Sequence, residues 1–306
     1  MKLSDQTKGL SGAPLEQLSL EDESLSGYRR FWEQAATLDA VRAIADQETP
    51  ESFEVSGETD AMDVWKLLPN RDAVVLEIGC GMGRVMQHLA GLYREVHGID
   101  ISSEMVSRGR RRLAHLPNVH FHQGNGYDLD PFADESFDLV LSAFAFQHMP
   151  KTVAYNYFLE TRRVLRPGGL FAFQVPNLLR GAHFAEFNHF AQPWFVEHPY
   201  PMSFWTPAEV FYLLSKAGLW AESLDEEMVV LARKGESPGA AAEQFLRSVE
   251  SELAGLKSSG RIAKLERQAA ELERQLDRFR RQPLIRVALA GRRAIRRVAG
   301  PRDRTT

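Results

Sequence analysis

Apolar and polar residues change period several times along this chain, and each change marks an element. Residues 28–46 (YRRFWEQAATLDAVRAIAD) repeat apolar positions every three or four residues, which predicts a helix. A second helix is expected over 59–68, stopped by Pro69. Short apolar runs then alternate with amphipathic stretches. Strands are expected at 73–78, 95–99, 119–122, 137–142 and 170–175, with helices between them at 84–92, 103–113 and 152–165. Ser102 and Ser103 can cap the second of these helices. The tetrapeptide RPGG at 166–169 reads as the break between the third helix and its strand. Strands alternating with helices at this spacing imply an α/β fold, a doubly wound, mostly parallel sheet.

Beyond residue 175 the pattern changes. Residues 177–205 are irregular and aromatic and carry His183, His189 and His198, which predicts a lid over a substrate site. The histidines read mainly as surface or packing residues, since their spacing fits no compact metal site. Thr206 and Pro207 open another helix as cap and first residue. LWAESLDEEMVVLARK (219–234) then reads as two strands across an acidic turn, an antiparallel hairpin that brings the sheet to seven strands. The expected organisation is a leader at 1–26, one domain over 27–235 with N-terminal helices at 27–70, a helical segment at 240–282 and a basic tail at 283–306. Within the helical segment, Ile262, Leu265, Ala269, Leu272, Leu276 and Phe279 form a short heptad seam, which predicts a coiled-coil homodimer.

Charge sharpens this division. The net charge is −4, yet residues 280–306 hold nine arginines and one acid, leaving 28 basic and 40 acidic residues in the preceding 279. An acidic body argues against nucleic acid as the main substrate, because phosphate neutralisation dominates such binding. The basic tail, with Leu284, Ala288, Ile295 and Val298 on one stripe, suggests peripheral contact with an anionic membrane surface. One cysteine, Cys80, excludes a disulfide framework and a cysteine-rich metal site. No apolar run approaches the roughly 20 residues of a membrane span, and residues 1–27 lack the apolar centre of a signal peptide. A cytoplasmic protein is therefore expected.

The candidate chemistry begins at VVLEIGCGMGR (74–84), where Gly79, Gly81 and Gly83 follow a strand. Glycine is used where φ is positive or where something approaches the backbone closely. A dinucleotide turn requires G-x-G-x-x-G, but Arg84 occupies the third glycine's position. A triphosphate loop requires a lysine, which is absent, while Glu77 lies just before the turn. Asp100 ends the next strand, where a carboxylate can accept both hydroxyls of a ribose.

With VHGIDIS (96–102), FDLVLSAFAFQHMP (137–150) and RVLRPGGLFAFQV (163–175) added in order, residues 65–234 resemble the class I S-adenosylmethionine-dependent methyltransferases. The resemblance implies S-adenosylmethionine as cofactor. Glu77, Gly79, Cys80, Gly81 and Gly83 would line its methionine and ribose part, Asp100 would bind the ribose, and Ile101 would pack on adenine. Family members often place an acid after the third strand to bond the adenine amino group. Here Asn125 stands instead, and its amide, or backbone at Gly126, would make that contact. Ala143, Gln147 and His148 would lie beside the reacting methyl group. His148 can be a general base for a hydroxyl, or a residue that caps and orients its loop. Cys80 reads as a cofactor-lining residue. The expected function is methylation of a hydroxyl or amine on a small molecule, such as a sugar or glycan precursor. Alternatives are a lipid or quinone acceptor at the membrane, or a non-catalytic scaffold that keeps the cofactor fold. No metal is expected.

Overall fold

A computed structural model describes residues 24–45, 50–192, 201–224, 229–235 and 247. In it the run VVLEI becomes β1 (Val74–Ile78), buried at all five positions. A strand buried on both faces needs cover above and below and a partner on each edge. β2 (Glu95–Asp100) pairs parallel along one edge and β4 (Phe137–Ser142) along the other. β3 (Val119–Gln123) continues beyond β2, and β5 (Leu165–Gln174) beyond β4. β6 (Leu219–Leu224) and β7 (Val229–Lys234) close the far edge as an antiparallel pair. The strand order is β3-β2-β1-β4-β5-β7-β6. The chain therefore reverses its direction of travel across the sheet between β1 and β4, and such a switch point opens a crevice at the carboxyl ends of the strands.

The alternation along β1 sends Val74, Leu76 and Ile78 to one face and Val75 to the other. The first face packs on Phe158 and Val164 of α5 (Lys151–Val164) and on Val210 and Leu214 of α7 (Pro207–Ala217). The second packs on Ala61 of α2 (Pro50–Leu67), Met86 and Leu89 of α3 (Met86–Leu89) and Val106 of α4 (Ser103–Arg112). Each such aliphatic or aromatic side chain contributes about 1.5–3 kcal/mol by leaving water. Ser102 caps α4, accepting from the Met105 amide at 3.2 Å. Thr206 and Glu209 form a reciprocal capping box on α7, with Pro207 in its first turn.

Three boundaries differ from the expectation. β5 begins at Leu165, so RPGG lies inside the strand, with a register shift against β4 between Phe137 and Leu139. Gly168 supplies the positive φ of +75° for this irregularity, and Arg233 donates to its carbonyl at 2.7 Å. α2 starts at Pro50 rather than at residue 59. Gly57 is retained within this helix because a Cβ there would stand 2.4 Å from the Arg84 carbonyl, so packing overrides propensity. Residues 177–205 are not irregular throughout, for they contain α6 (Gly181–Phe190).

The chain divides into two units, Met1–Gln244 and Phe245–Thr306. The expected leader as far as residue 23, His198, the heptad seam at 262–279 and the basic tail at 283–306 lie outside the described residues. No described helix is long and apolar enough to cross a membrane.

Candidate functional site

The turn after β1 depends on its glycines. Gly79, Gly81 and Gly83 have φ of +71°, +53° and +83°. A Cβ on Gly79 would lie 2.2 Å from the Ala145 Cβ. The Gly79 and Cys80 amides both donate to the Ile99 carbonyl, at 2.8 and 3.2 Å. Asp100 fixes the rest of the turn. Its Oδ2 accepts from the Gly81 amide at 2.8 Å, and its Oδ1 accepts from the Ser102 amide at 2.9 Å. Each oxygen keeps a further lone pair for a ligand hydroxyl. Burial raises the Asp100 pKa, and these two backbone bonds oppose the rise.

Glu77 is the only acid in the buried β1, and its Oε2 has no hydrogen-bond partner. Burial pushes its pKa to about 8, the Arg84 guanidinium opposes this, and Asp60 and Asp100 add to it. Arg84 is itself buried. It pairs with Asp60 at 2.6 Å, donates to Ser56 Oγ at 3.1 Å, and lies 5.7 Å from the Phe144 ring centroid. These partners belong to α2, so the residue standing where a third glycine was sought ties the turn to an N-terminal helix. Arg112 adds a second tie, donating to the Gly83 carbonyl at 3.2 Å and to Glu54.

α1 (Leu25–Ala45) contributes Leu25, Tyr28 and Trp32 to the wall of the same cavity. It is held there by Glu33, whose carboxylate accepts from Ser102 Oγ at 2.9 Å, the Ser103 amide at 2.6 Å and the Glu104 amide at 3.1 Å. Burial raises the Glu33 pKa, but these bonds outweigh it and the net shift is downward. No sequence spacing connects Glu33 to a helix 70 positions later, so this contact was invisible in the chain.

A 3-10 turn, Phe146–His148, follows β4. Phe146 roots it by edge-to-face contacts with Phe158 and Phe173, each with ring centroids 5.4 Å apart. His148 Nδ1 lies 2.8 Å from the Pro201 carbonyl, which can only accept, so Nδ1 carries the proton. The lone pair is then on Nε2, to which the Gln147 amide nitrogen donates at 3.0 Å. Burial lowers the His148 pKa to about 4, and the bond to Pro201 opposes this. At neutral pH the imidazole is uncharged. Two further bonds seat the returning segment: Ser203 N donates to the Gln147 carbonyl at 2.6 Å, and Ser203 Oγ donates to the Met149 carbonyl at 2.8 Å.

Together these elements enclose a cleft of about 1010 Å³, part of it open to solvent. Of the expected residues, Glu77, Gly79, Cys80, Gly81, Asp100, Ile101, Gly126, Ala143 and His148 line it. Gly83 is off the wall, where a Cβ would strike Phe121 and Leu113 at 2.7 and 2.8 Å. Gln147 is also off the wall, its amide turned to His148. Asn125 departs from its expected role. Its Oδ1 accepts from the Tyr127 and Asp128 amides at 2.8 and 3.1 Å, and its Nδ2 donates to Asp128 at 2.8 Å. Both ends of the amide are spent on the turn, and Gly126, with φ of +84°, reaches the cavity instead. The Cys80 thiol is buried and its pKa raised by burial, which leaves it a packing group. His183 accepts from the Asn177 amide at 2.9 Å, away from the cleft. Among the described residues no group of acids, histidines or cysteine is arranged to hold a metal.

Residues 75–169 match the family model described as a methyltransferase domain. Over 102 residues the chain is 39% identical to the fatty-acid O-methyltransferase of Mycolicibacterium smegmatis, covering 32% of this chain and 35% of that protein. It is 33% identical over 98 residues to the demethylmenaquinone methyltransferase of Staphylococcus haemolyticus, covering 31% and 40%. Aligned segments thus span about a third to two fifths of these relatives' length. Among solved structures, the magnesium protoporphyrin IX methyltransferase of Synechocystis, with S-adenosylhomocysteine bound, superposes with a TM-score of 0.55 at 16% identity, covering 69% of this chain and all of that one. The phosphoethanolamine N-methyltransferase 1 of Haemonchus contortus gives 0.53 at 17% identity, covering 77% and 55%. These two likenesses establish a shared fold.

Proposed function

We propose that this chain, which carries a methyltransferase domain over residues 75–169, binds S-adenosylmethionine and methylates a hydroxyl on a small apolar molecule. One observation carries the reading: a single cleft brings together the orphaned carboxyl oxygen of Glu77, the turn-bound carboxylate of Asp100 and the neutral imidazole of His148. The first two suit the cofactor. A buried acid lacking a partner fits an ammonium group, and a carboxylate with free lone pairs fits two ribose hydroxyls. Ile101 offers an apolar face for a flat base. When bound, S-adenosylmethionine supplies an electrophilic methyl group on a positively charged sulfur.

The chain's own contribution is mainly alignment. His148 Nε2 accepts the hydrogen of the incoming hydroxyl, exchanging its bond from Gln147, while Pro201 holds the ring's other nitrogen. A pKa near 4 makes this imidazole a weak base, suited to orienting a hydroxyl more than to removing its proton. Leu25, Trp32, Phe144, Met149 and Val153 supply apolar wall, which favours a lipid or quinone-like acceptor over the sugar first considered. The activities named for the fatty-acid and demethylmenaquinone relatives support the same choice. An apolar acceptor also accords with a cytoplasmic protein whose basic tail rests on the membrane and whose heptad seam pairs two chains.

The test is transfer from methyl-labelled S-adenosylmethionine into separated lipid, quinone and water-soluble fractions, with mass analysis of the product. Label in the lipid or quinone fraction supports the reading. Label confined to sugars or proteins refutes the acceptor class, and no transfer into any fraction refutes the activity.

A further inference from the structure

We infer that the Tyr157 hydroxyl hydrogen-bonds the purine of the bound cofactor and so helps to select adenosine, a role that rests on the cofactor reading above. Tyr157 belongs to α5, is 5% exposed, and lines the cleft. Its hydroxyl makes no hydrogen bond among the described residues. Buried tyrosine hydroxyls ordinarily find a partner, and leaving one without costs stability. An unpartnered hydroxyl on the wall of a ligand cleft therefore points to a partner that arrives with the ligand.

Its surroundings say which part of the ligand. The neighbouring Asn156 donates to the Tyr127 carbonyl at 2.7 Å, fastening this part of α5 to the loop after β3. That loop brings Gly126 to the cleft wall, while the Asn125 amide is consumed within it. The side chain expected to read the base is thus unavailable, and Tyr157 offers a polar group beside the same loop. Ile101, Val153 and Met149 surround this end with apolar surface on which a flat ring can lie. The other polar groups of the wall are engaged elsewhere: Arg84 with Asp60, His148 with Pro201, and Asp100 with the glycine turn. Burial, with Asp100 and Asp128 nearby, raises the Tyr157 pKa. The phenol stays protonated, so it can donate to a purine ring nitrogen and accept from the exocyclic amine.

The experiment compares the full chain and Tyr157→Phe by calorimetric titration with S-adenosylhomocysteine and with 5′-methylthioadenosine, which keeps adenosine but lacks the amino acid. Tyr157→Phe should weaken both by the same factor, roughly three- to tenfold. Thermal unfolding of the ligand-free variant should be unchanged or raised, because the deleted hydroxyl has no protein partner. Unaltered affinity overturns the inference, as does a loss confined to S-adenosylhomocysteine or a less stable ligand-free variant. Failure of the unsubstituted protein to bind either compound overturns the cofactor reading itself, and this inference with it.

Discussion

Replacing Glu77 by glutamine removes a carboxyl that is expensive to ionise in the free protein and needed ionised in the complex. Its pKa of about 8 means that at pH 7 the group is mostly protonated. Ionising it there costs about 1.4 kcal/mol, one pH unit's worth. A charge-assisted bond to a ligand ammonium returns about 1.5–3 kcal/mol. Between pH 6 and 8, affinity for S-adenosylhomocysteine should therefore rise up to tenfold per unit and level off above 8, with a proton released on binding. Glu77→Gln should bind more weakly above pH 8 and lose this pH dependence. The same group acts on stability with a defined sign. The folded pKa stands above the ordinary 4.5, so the folded state holds the extra proton between these values. Stability contributed by that proton is complete below pH 4.5 and falls by about 1.4 kcal/mol per unit as pH rises to 8. Calorimetry in buffers of differing ionisation enthalpy, with urea titrations of both proteins from pH 5 to 9, measures both effects. Identical pH profiles for the two proteins, or undiminished affinity in the variant above pH 8, would refute the reasoning.

Three further outcomes are expected. His148→Ala should lower turnover by roughly 10- to 100-fold without changing S-adenosylhomocysteine affinity. Because the folded pKa of His148 is about 4, the unsubstituted enzyme should show no acid limb near pH 6.5, and a limb there that vanishes in the variant would contradict this assignment. Gly79→Ala places a side chain at φ +71° and against Ala145; the backbone alone costs about 1–2 kcal/mol, so a lowered denaturation midpoint and lost cofactor binding are expected. Glu33→Gln should destabilise the protein by about 1 kcal/mol near neutrality. The Glu33 pKa is lowered from 4.5, so this difference should be full above pH 4.5 and shrink as pH falls below it, as urea titrations can show.

The legible parts of the molecule were those written locally. β1, the glycine turn and Asp100 lie within 27 residues, and their chemistry follows from burial pattern, positive φ and one carboxylate. The capping of α4 and α7 was equally local. What sequence reasoning missed is carried by contacts between distant segments. Glu33 grips α4 from α1, Arg84 and Arg112 tie the turn to α2, and Pro201 fixes the His148 tautomer across 53 positions. Asn125 shows a different failure. Its residue type suited the expected contact with a base, but the turn it initiates claims both ends of its amide first. The RPGG segment misled because glycine and proline mark a bulge inside a strand as readily as a break before one.

The most direct test of the central claim is calorimetric titration of the protein with S-adenosylhomocysteine and NAD in parallel, repeated with Asp100→Asn and Asp100→Ala. Asp100 both pins the glycine turn and offers its remaining lone pairs to a ribose. The account predicts binding of S-adenosylhomocysteine but not NAD, weakened by about 1.5–3 kcal/mol for each charged bond lost. Asn should retain part of the affinity, through its one remaining oxygen, and Ala almost none. No binding of S-adenosylhomocysteine, tighter binding of NAD, or an Ala variant that binds as well as the unsubstituted protein would contradict it.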